Sequence, residues 1–152
     1  MKTVFDQEQV EIFKSRLGNL ETSASAKWGK MNVKQMLKHC IENEKLFLRE
    51  RQFKDVFIGK LFGRIALRSD IKNDQPFGKN SPTHPDLKMT EEIKASMDSL
   101  KSEWIRLLEK YPDLAEDYFE GFVHPFFRKM SKEEVGIWAT KHVDHHLRQF
   151  GY

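Results

Sequence analysis

The chain has 152 residues, of which 26 are basic and 23 acidic, and the two signs are interspersed along it to leave a net charge of +3. This length suits one domain over residues 1–152, and so small and diffuse a charge disfavours a nucleic-acid partner. The single cysteine, Cys40, excludes an intramolecular disulfide and a tetracysteine zinc site, and no apolar run approaches the roughly 18 residues of a membrane span, so we expect a cytoplasmic protein with no membrane partner.

Capping-box patterns mark the start of the first two predicted helices. Asp6 opens a helix over about residues 7–19, and Asn32 opens another that runs to about Glu50. Apolar residues recur at helical spacing through the second helix, which predicts a face that packs against a core. This face comprises Val33, Met36, Leu37, Cys40, Ile41, Phe47 and Leu48.

A shorter amphipathic helix is predicted over residues 55–68. Its cations Lys60, Arg64 and Arg68 are four residues apart and therefore share one side of the helix. The following segment, 70–88, is rich in proline, glycine and asparagine, which predicts a long connection or lid.

Two further long helices complete the predicted elements. The third long helix begins at Thr90 and ends before Pro112. The last begins with a capping box of Ser131 and Glu134, runs to Phe150 and stops at Gly151. The apolar positions of the third long helix alternate spacings of four and three, as in packed helices: Ile93, Met97, Leu100, Trp104, Leu107 and Tyr111. No strand-like alternation stands out, so the sequence predicts an all-α four-helix bundle with long crossover connections and one extra short amphipathic helix.

Histidines on the last helix suggest a metal site. His142 and His146 lie within its apolar arc and are one turn apart, so both imidazoles can reach one ion. His39 lies at the edge of the apolar arc of the second helix and is the predicted third ligand. Three imidazoles leave coordination positions open, as catalytic sites do. The alternative is that all three are core histidines satisfied by hydrogen bonds.

Three segments together resemble the DinB-like (YfiT-like) superfamily of metal-binding four-helix bundles, most of which are uncharacterised bacterial proteins. They are residues 28–33, which lead into the helix of His39, the loop 124–127, and the segment 141–150. The resemblance covers nearly the whole chain. It implies His39, His142 and His146 as ligands of a divalent metal, nickel or zinc above all, and it implies a homodimer by similarity to relatives.

Characterised relatives in this superfamily include transferases that use a low-molecular-weight thiol such as bacillithiol. The resemblance therefore implies a metal-dependent transferase acting on a small-molecule substrate, with the thiol held as thiolate at the three histidines. Two alternatives stay open. A metal-dependent hydrolase requires a base, for which Glu44 and His145 are the candidates, whereas Asp144 points away from the apolar arc. A non-catalytic bundle that binds a metal or another protein requires no base.

Further candidates concern the binding of an anionic cofactor or substrate. The face formed by Lys60, Arg64 and Arg68 could recruit such an anion, although an ordinary solvated surface explains the same pattern. His124 could contact the substrate from its loop or replace His39 as the third ligand, or it could hold that loop by a hydrogen bond. Cys40 lies well inside its apolar arc and is interpreted as a core residue.

Overall fold

The structure is a computed structural model that describes residues 2–152. Its five α-helices are α1 (Gln7–Asn19), α2 (Val33–Phe47), α3 (Phe57–Ile71), α4 (Met97–Leu108) and α5 (Lys132–Gln149). Two 3-10 helices (Pro85–Leu87 and Tyr111–Asp113) and a short antiparallel pair of strands, β1 (Val123–His124) and β2 (Arg128–Lys129), interrupt the connections. None of the described helices has the length and apolar character needed to cross a membrane.

Four of the helices form the bundle that the sequence predicts. α2 packs against α4 and α5, and α1 packs against the same two helices, so that their apolar sides enclose one core. α3 is the extra helix and lies outside, against α5 and β2. The largest fully buried side chains include Phe13 of α1, Phe47 of α2, Trp104 of α4 and Tyr111 of the 3-10 helix that follows α4. The all-α bundle is therefore confirmed.

Two of the three predicted capping boxes are present. The side chain of Asn32 accepts a hydrogen bond from the backbone N–H of Gln35 at 2.9 Å, and Ser131 accepts one from that of Glu134 at 3.2 Å; the reciprocal bonds are also formed. The third prediction is wrong. Asp6 precedes α1, but its carboxylate accepts from the backbone N–H of Thr3, before the helix, at 2.6 Å.

The third long helix begins seven residues later than predicted. Ser96 caps α4, and the segment before it is not helical, so Thr90 does not start the helix. The carbonyls of Glu91 and Ile93 accept hydrogen bonds from the side chains of Gln35 and Lys34 on α2. These tertiary bonds hold the segment along the start of α2, so it does not form the helix that its spacing predicts.

The second helix also ends earlier than predicted, at Phe47 and not at Glu50. Arg49 has a φ of 57°, in the left-handed region, and the backbone N–H groups of Glu50 and Arg51 both bond back to the carbonyl of Lys45. This reversal closes the helix because it satisfies one of its free terminal carbonyls. The two-residue strands escaped prediction because they are too short to show alternation.

Candidate metal centre

Three histidines meet in the interior of the bundle. α2 supplies His39, and α5 supplies His142 and His146 one turn apart. Their exposed fractions are 3%, 5% and 7%, so solvent hardly reaches them. One ring nitrogen from each lies within 4.8 Å of the other two, and the Nε2 atoms of His39 and His142 are 3.2 Å apart. The structure thus brings together all three predicted ligands.

Hydrogen bonds fix the orientation of two of these rings. Nδ1 of His39 donates to the carbonyl of Leu87 at 2.9 Å, and Nδ1 of His146 donates to Oε1 of Gln149 at 2.9 Å. The amide of Gln149 is itself held, because its Nε2 donates to the carbonyl of Trp28 at 2.8 Å. With the proton on Nδ1, each ring presents the lone pair of Nε2 to the cluster.

The third ring is held by stacking and by an amide. His142 lies nearly parallel to the indole of Trp138, with ring centroids 4.8 Å apart and an interplanar angle of 17°. The Asn43 side-chain amide is 3.4 Å from Nδ1 of His142. A half-turn of this amide exchanges its oxygen and nitrogen, which lets the oxygen accept a hydrogen bond from Nδ1–H and frees Nε2 as a ligand.

Electrostatics keep the three rings neutral. Burial lowers the pKa of His39, His142 and His146, and mutual repulsion among neighbouring histidines lowers the pKa of each one further. Neutral imidazole is the form that ligates a metal. The cluster is therefore in the ligating state at neutral pH.

The distance between two of the histidines fits a bound ion. Two nitrogens bound tetrahedrally at 2.0–2.1 Å from one zinc are about 3.3 Å apart, close to the 3.2 Å between the Nε2 atoms of His39 and His142. Two lone pairs at this distance repel each other unless a cation or a shared proton lies between them. Within residues 2–152 no carboxylate or thiol belongs to the cluster, so coordination positions would remain open for other ligands.

A comparison with protein families agrees with this arrangement. The model of the DinB superfamily matches residues 16–150, a span that includes all three histidines. The chain belongs to the DinB superfamily. Searches of curated proteins and of solved structures found no match. In this DinB-superfamily chain the buried histidine cluster is thus the centre that could hold a metal.

Aromatic side chains that the sequence did not assign to the site lie beside the histidine cluster. The edge of Trp28 meets His145 with ring centroids 5.5 Å apart, and Phe77 lies 5.4 Å from Trp138 and 5.9 Å from His145. Lys79 lies over the ring of Trp28 at 4.9 Å. Phe77 and Lys79 belong to the long connection before α4, where proline and glycine predict a loop but carry no signal of what it covers.

The candidate base Glu44 occupies another part of the bundle. It follows His39 by five residues, which turns it about 140° around α2. Its carboxylate is fully buried and accepts a hydrogen bond from the hydroxyl of Tyr111. Burial raises its pKa to about 7. The second candidate, His145, is half-buried beside the cluster, and burial lowers its pKa.

His124 makes the hydrogen bonds of a residue that holds its loop. Its Nδ1 accepts from the backbone N–H groups of Phe126 and Phe127, both at 3.1 Å. Burial and the proximity of His84 lower its pKa to about 3. The ring is enclosed by Phe47, Phe127 and Trp138, so the loop-fixing alternative describes its contacts.

The basic face lies on α3, outside the bundle. Arg64 forms a two-pronged ion pair with Glu134 and also donates to the carbonyl of Lys129, whereas Lys60 and Arg68 are exposed. Glu134 precedes His142 by eight residues on α5, which corresponds to about 12 Å along the helix. The structure therefore ties this face to the opposite end of α5 from the histidines.

Proposed function

We propose that this protein is a metal-dependent transferase that joins a low-molecular-weight thiol to an electrophilic substrate. The observation that carries the proposal is a buried cluster of three neutral imidazoles with no carboxylate among them. A divalent metal held there, nickel or zinc, would lower the pKa of a coordinated thiol and keep it as thiolate at neutral pH. The thiol is of the bacillithiol type that the family resemblance implies.

The protein's own residues would then bind the ion and orient the histidine rings that hold it. His39, His142 and His146 hold the ion, while Leu87 and Gln149 keep two of the rings in the ligating tautomer. Trp138 stacks on His142, and Phe77 packs on Trp138, so these rings would shield one side of the cluster from water. Such a dry site favours a soft, weakly hydrated sulfur ligand.

Carboxylates near the site are engaged elsewhere, which favours a thiol over water as the nucleophile. Asp144 pairs with Arg16 and Arg148, and Asp70 accepts a hydrogen bond from the indole N–H of Trp138. Hydrolysis at a metal needs a base to take a proton from water. A thiol, with a pKa near 8.5 when free, releases its proton to solvent more readily. Its sulfur would bond to the electrophilic carbon as the leaving group departs with its electron pair.

Metal content tests the first half of the proposal. Untagged wild-type protein, reconstituted with nickel or zinc and dialysed, should retain about one ion per chain by plasma emission spectroscopy. The His142→Ala/His146→Ala variant should retain none while keeping its helical circular dichroism. The matched control is His145→Gln, which alters a neighbouring histidine outside the cluster and should keep the ion. A metal-free wild type would leave the histidines as core residues.

Activity tests the second half. Loaded wild-type protein should consume a small thiol in the presence of an aryl halide, and the double variant should not. Hydrolysis of esters or amides by the loaded protein, without conjugation of the thiol, would replace the transferase proposal with the hydrolase. If the metal binds but neither reaction occurs with any pair in a broad screen, the non-catalytic bundle is the better account.

A further inference from the structure

Helix α3 turns its bulky apolar side chains towards solvent and not towards the core. A surface helix of a globular protein normally turns its bulky apolar side chains inward. In α3 the buried positions are Gly59, Gly63 and Leu67. The bulky side chains point outward, with exposed fractions from 53% to 75%: Phe57, Ile58, Leu61, Phe62 and Ile65. We call these five residues the α3 apolar face.

Close backbone contact holds the helix in this orientation. A Cβ atom added to Gly59 would lie 2.5 Å from the carbonyl oxygen of Phe126, and one added to Gly63 would lie 1.9 Å from it. Only glycine permits this approach, so the glycine side of α3 must face the loop. The ion pair of Arg64 with Glu134 fastens the same helix to α5. The outward direction of the α3 apolar face is thus built into the packing.

The size of the face separates it from ordinary surface apolar residues. At the observed exposures the five side chains leave roughly 500–600 Å² of apolar surface in water, at the upper end of the patches found on monomeric proteins. Other exposed large apolar residues, such as Ile12 on α1, belong to other elements of the chain. A contiguous patch of this size marks an interaction surface.

The charge beside the face is of one sign. Lys60, Arg64 and Arg68 follow one edge of the α3 apolar face, and Lys60 and Arg68 extend into solvent. Residues 56–69 contain no acidic residue. An apolar face with phenylalanine and leucine, bordered by lysine and arginine, is the composition of helices that lie along an anionic bilayer surface. Each such cation strengthens the attraction to anionic lipid.

A second copy of the chain fits this surface less well. In a two-fold dimer the patch contacts itself, so the counter-charge of each cation must come from the same patch. When two such helices pack antiparallel about a two-fold axis, the same edge of each comes together, which would place the cations of one copy against those of the other.

We propose, contrary to the expectation from the sequence that the protein has no membrane partner, that α3 docks this protein on the surface of an anionic lipid bilayer. The α3 apolar face enters the boundary between headgroups and acyl chains, and Lys60 and Arg68 contact the anionic headgroups. The helix lies along the bilayer and does not cross it. The docking surface is on α3, so it operates whether or not the histidine cluster holds a metal.

Vesicle flotation with the full chain tests the proposal. Wild-type protein should float with vesicles of equimolar phosphatidylglycerol and phosphatidylcholine at low salt, and at least tenfold less with phosphatidylcholine alone. The Leu61→Glu/Ile65→Glu variant changes only exposed positions and should lose at least tenfold in binding. Ile12→Glu adds a charge at an exposed apolar position on α1 and serves as the matched control, which should bind as wild type does.

The cations are tested separately. The Lys60→Gln/Arg68→Gln variant should bind anionic vesicles at least threefold more weakly, and the salt dependence of its binding should be shallower than that of wild type. Two results would overturn the proposal. One is wild-type protein that stays in solution with anionic vesicles. The other is a wild-type dimer in sedimentation equilibrium that Leu61→Glu/Ile65→Glu converts to monomer, because the face would then be covered by a second copy.

Discussion

Glu44 is an acid without a counter-charge in the core. Its side chain is fully buried, and its hydrogen bond comes from Tyr111, a neutral donor. Burial raises its pKa from 4.5 to about 7. The folded protein therefore keeps the Glu44 proton at pH values where the unfolded chain has already lost it. Stability attributable to this group must fall as pH rises from about 4.5 to about 7, and it must stay low above that.

Glu44→Gln should remove this pH dependence, because glutamine cannot ionise. Above pH 7 the variant should be more stable than wild type by up to about 3 kcal/mol, and near pH 5 the two should differ little. Urea unfolding at pH 5, 6, 7 and 8 measures the difference. Both proteins carry the same histidines, so histidine titration cancels in the comparison. A difference that stays constant across this range would contradict the assignment.

Gln149 acts on the cluster through His146. Replacing it with alanine removes the acceptor for Nδ1–H and the anchor on the Trp28 carbonyl. If the histidines hold a metal as proposed, Gln149→Ala should weaken binding of zinc or nickel about 10- to 100-fold, as loss of an orienting partner does. Competition against a chromophoric chelator gives the affinity. The neighbouring, exposed Arg148→Ala is the control and should bind within threefold of wild type; equal affinity for both variants would refute the role.

At the scale of the elements, local capping signals predicted the start of a helix where no tertiary contact competed with them. The capping boxes at Asn32 and Ser131 are formed because each side chain meets its own helix. Thr90 failed as a start because the following carbonyls bond to α2 side chains. For α3 the sequence predicted a helix, but periodicity fixes only that an apolar side exists. Which side packs was decided by the approach of Gly63 to Phe126.

Two glycines in helices should respond oppositely to alanine. At Gly18 on α1 no atom lies within 4 Å of the added Cβ, so Gly18→Ala should stabilise the fold by about 0.5–1 kcal/mol through helix propensity. At Gly63 the Cβ would meet backbone at 1.9 Å, so Gly63→Ala should destabilise it by about 1–3 kcal/mol as α3 is displaced. Urea unfolding of both variants checks the signs. A stabilising Gly63→Ala would mean that α3 does not pack on this loop.

For the whole molecule, the sequence predicted which histidines come together but not the residues that surround them. His142 and His146 are one turn apart on a single helix, so their spacing alone places both rings on one side. Leu87, which accepts the hydrogen bond from His39, and Phe77, which packs on the Trp138 ring beside His142, come from the long connection between α3 and α4. A connection of this kind has no periodicity from which its path could be read. The environment of the site is therefore a product of tertiary packing.

A metal held by the cluster shared between α2 and α5 would stabilise the bundle. A metal that binds the folded chain but not the unfolded one stabilises it by about 2.7 kcal/mol at a concentration one hundred times its Kd. For a chain of this length that corresponds to a rise in Tm of roughly 5–10 °C. Thermal unfolding by circular dichroism, with zinc or with a chelator, should show this rise in wild type and lose it in His142→Ala/His146→Ala.

The α3 variant Leu61→Glu/Ile65→Glu separates membrane docking from metal binding in the same thermal measurement. Its substitutions lie on the helix outside the bundle, and neither touches the ligands or their hydrogen-bond partners, so the rise in Tm with zinc should equal that of wild type. Vesicle binding lost with the rise intact would show that docking and metal binding reside in different parts of the chain. A rise that vanished in this variant would instead require α3 to support the histidine cluster, through its contacts with α5.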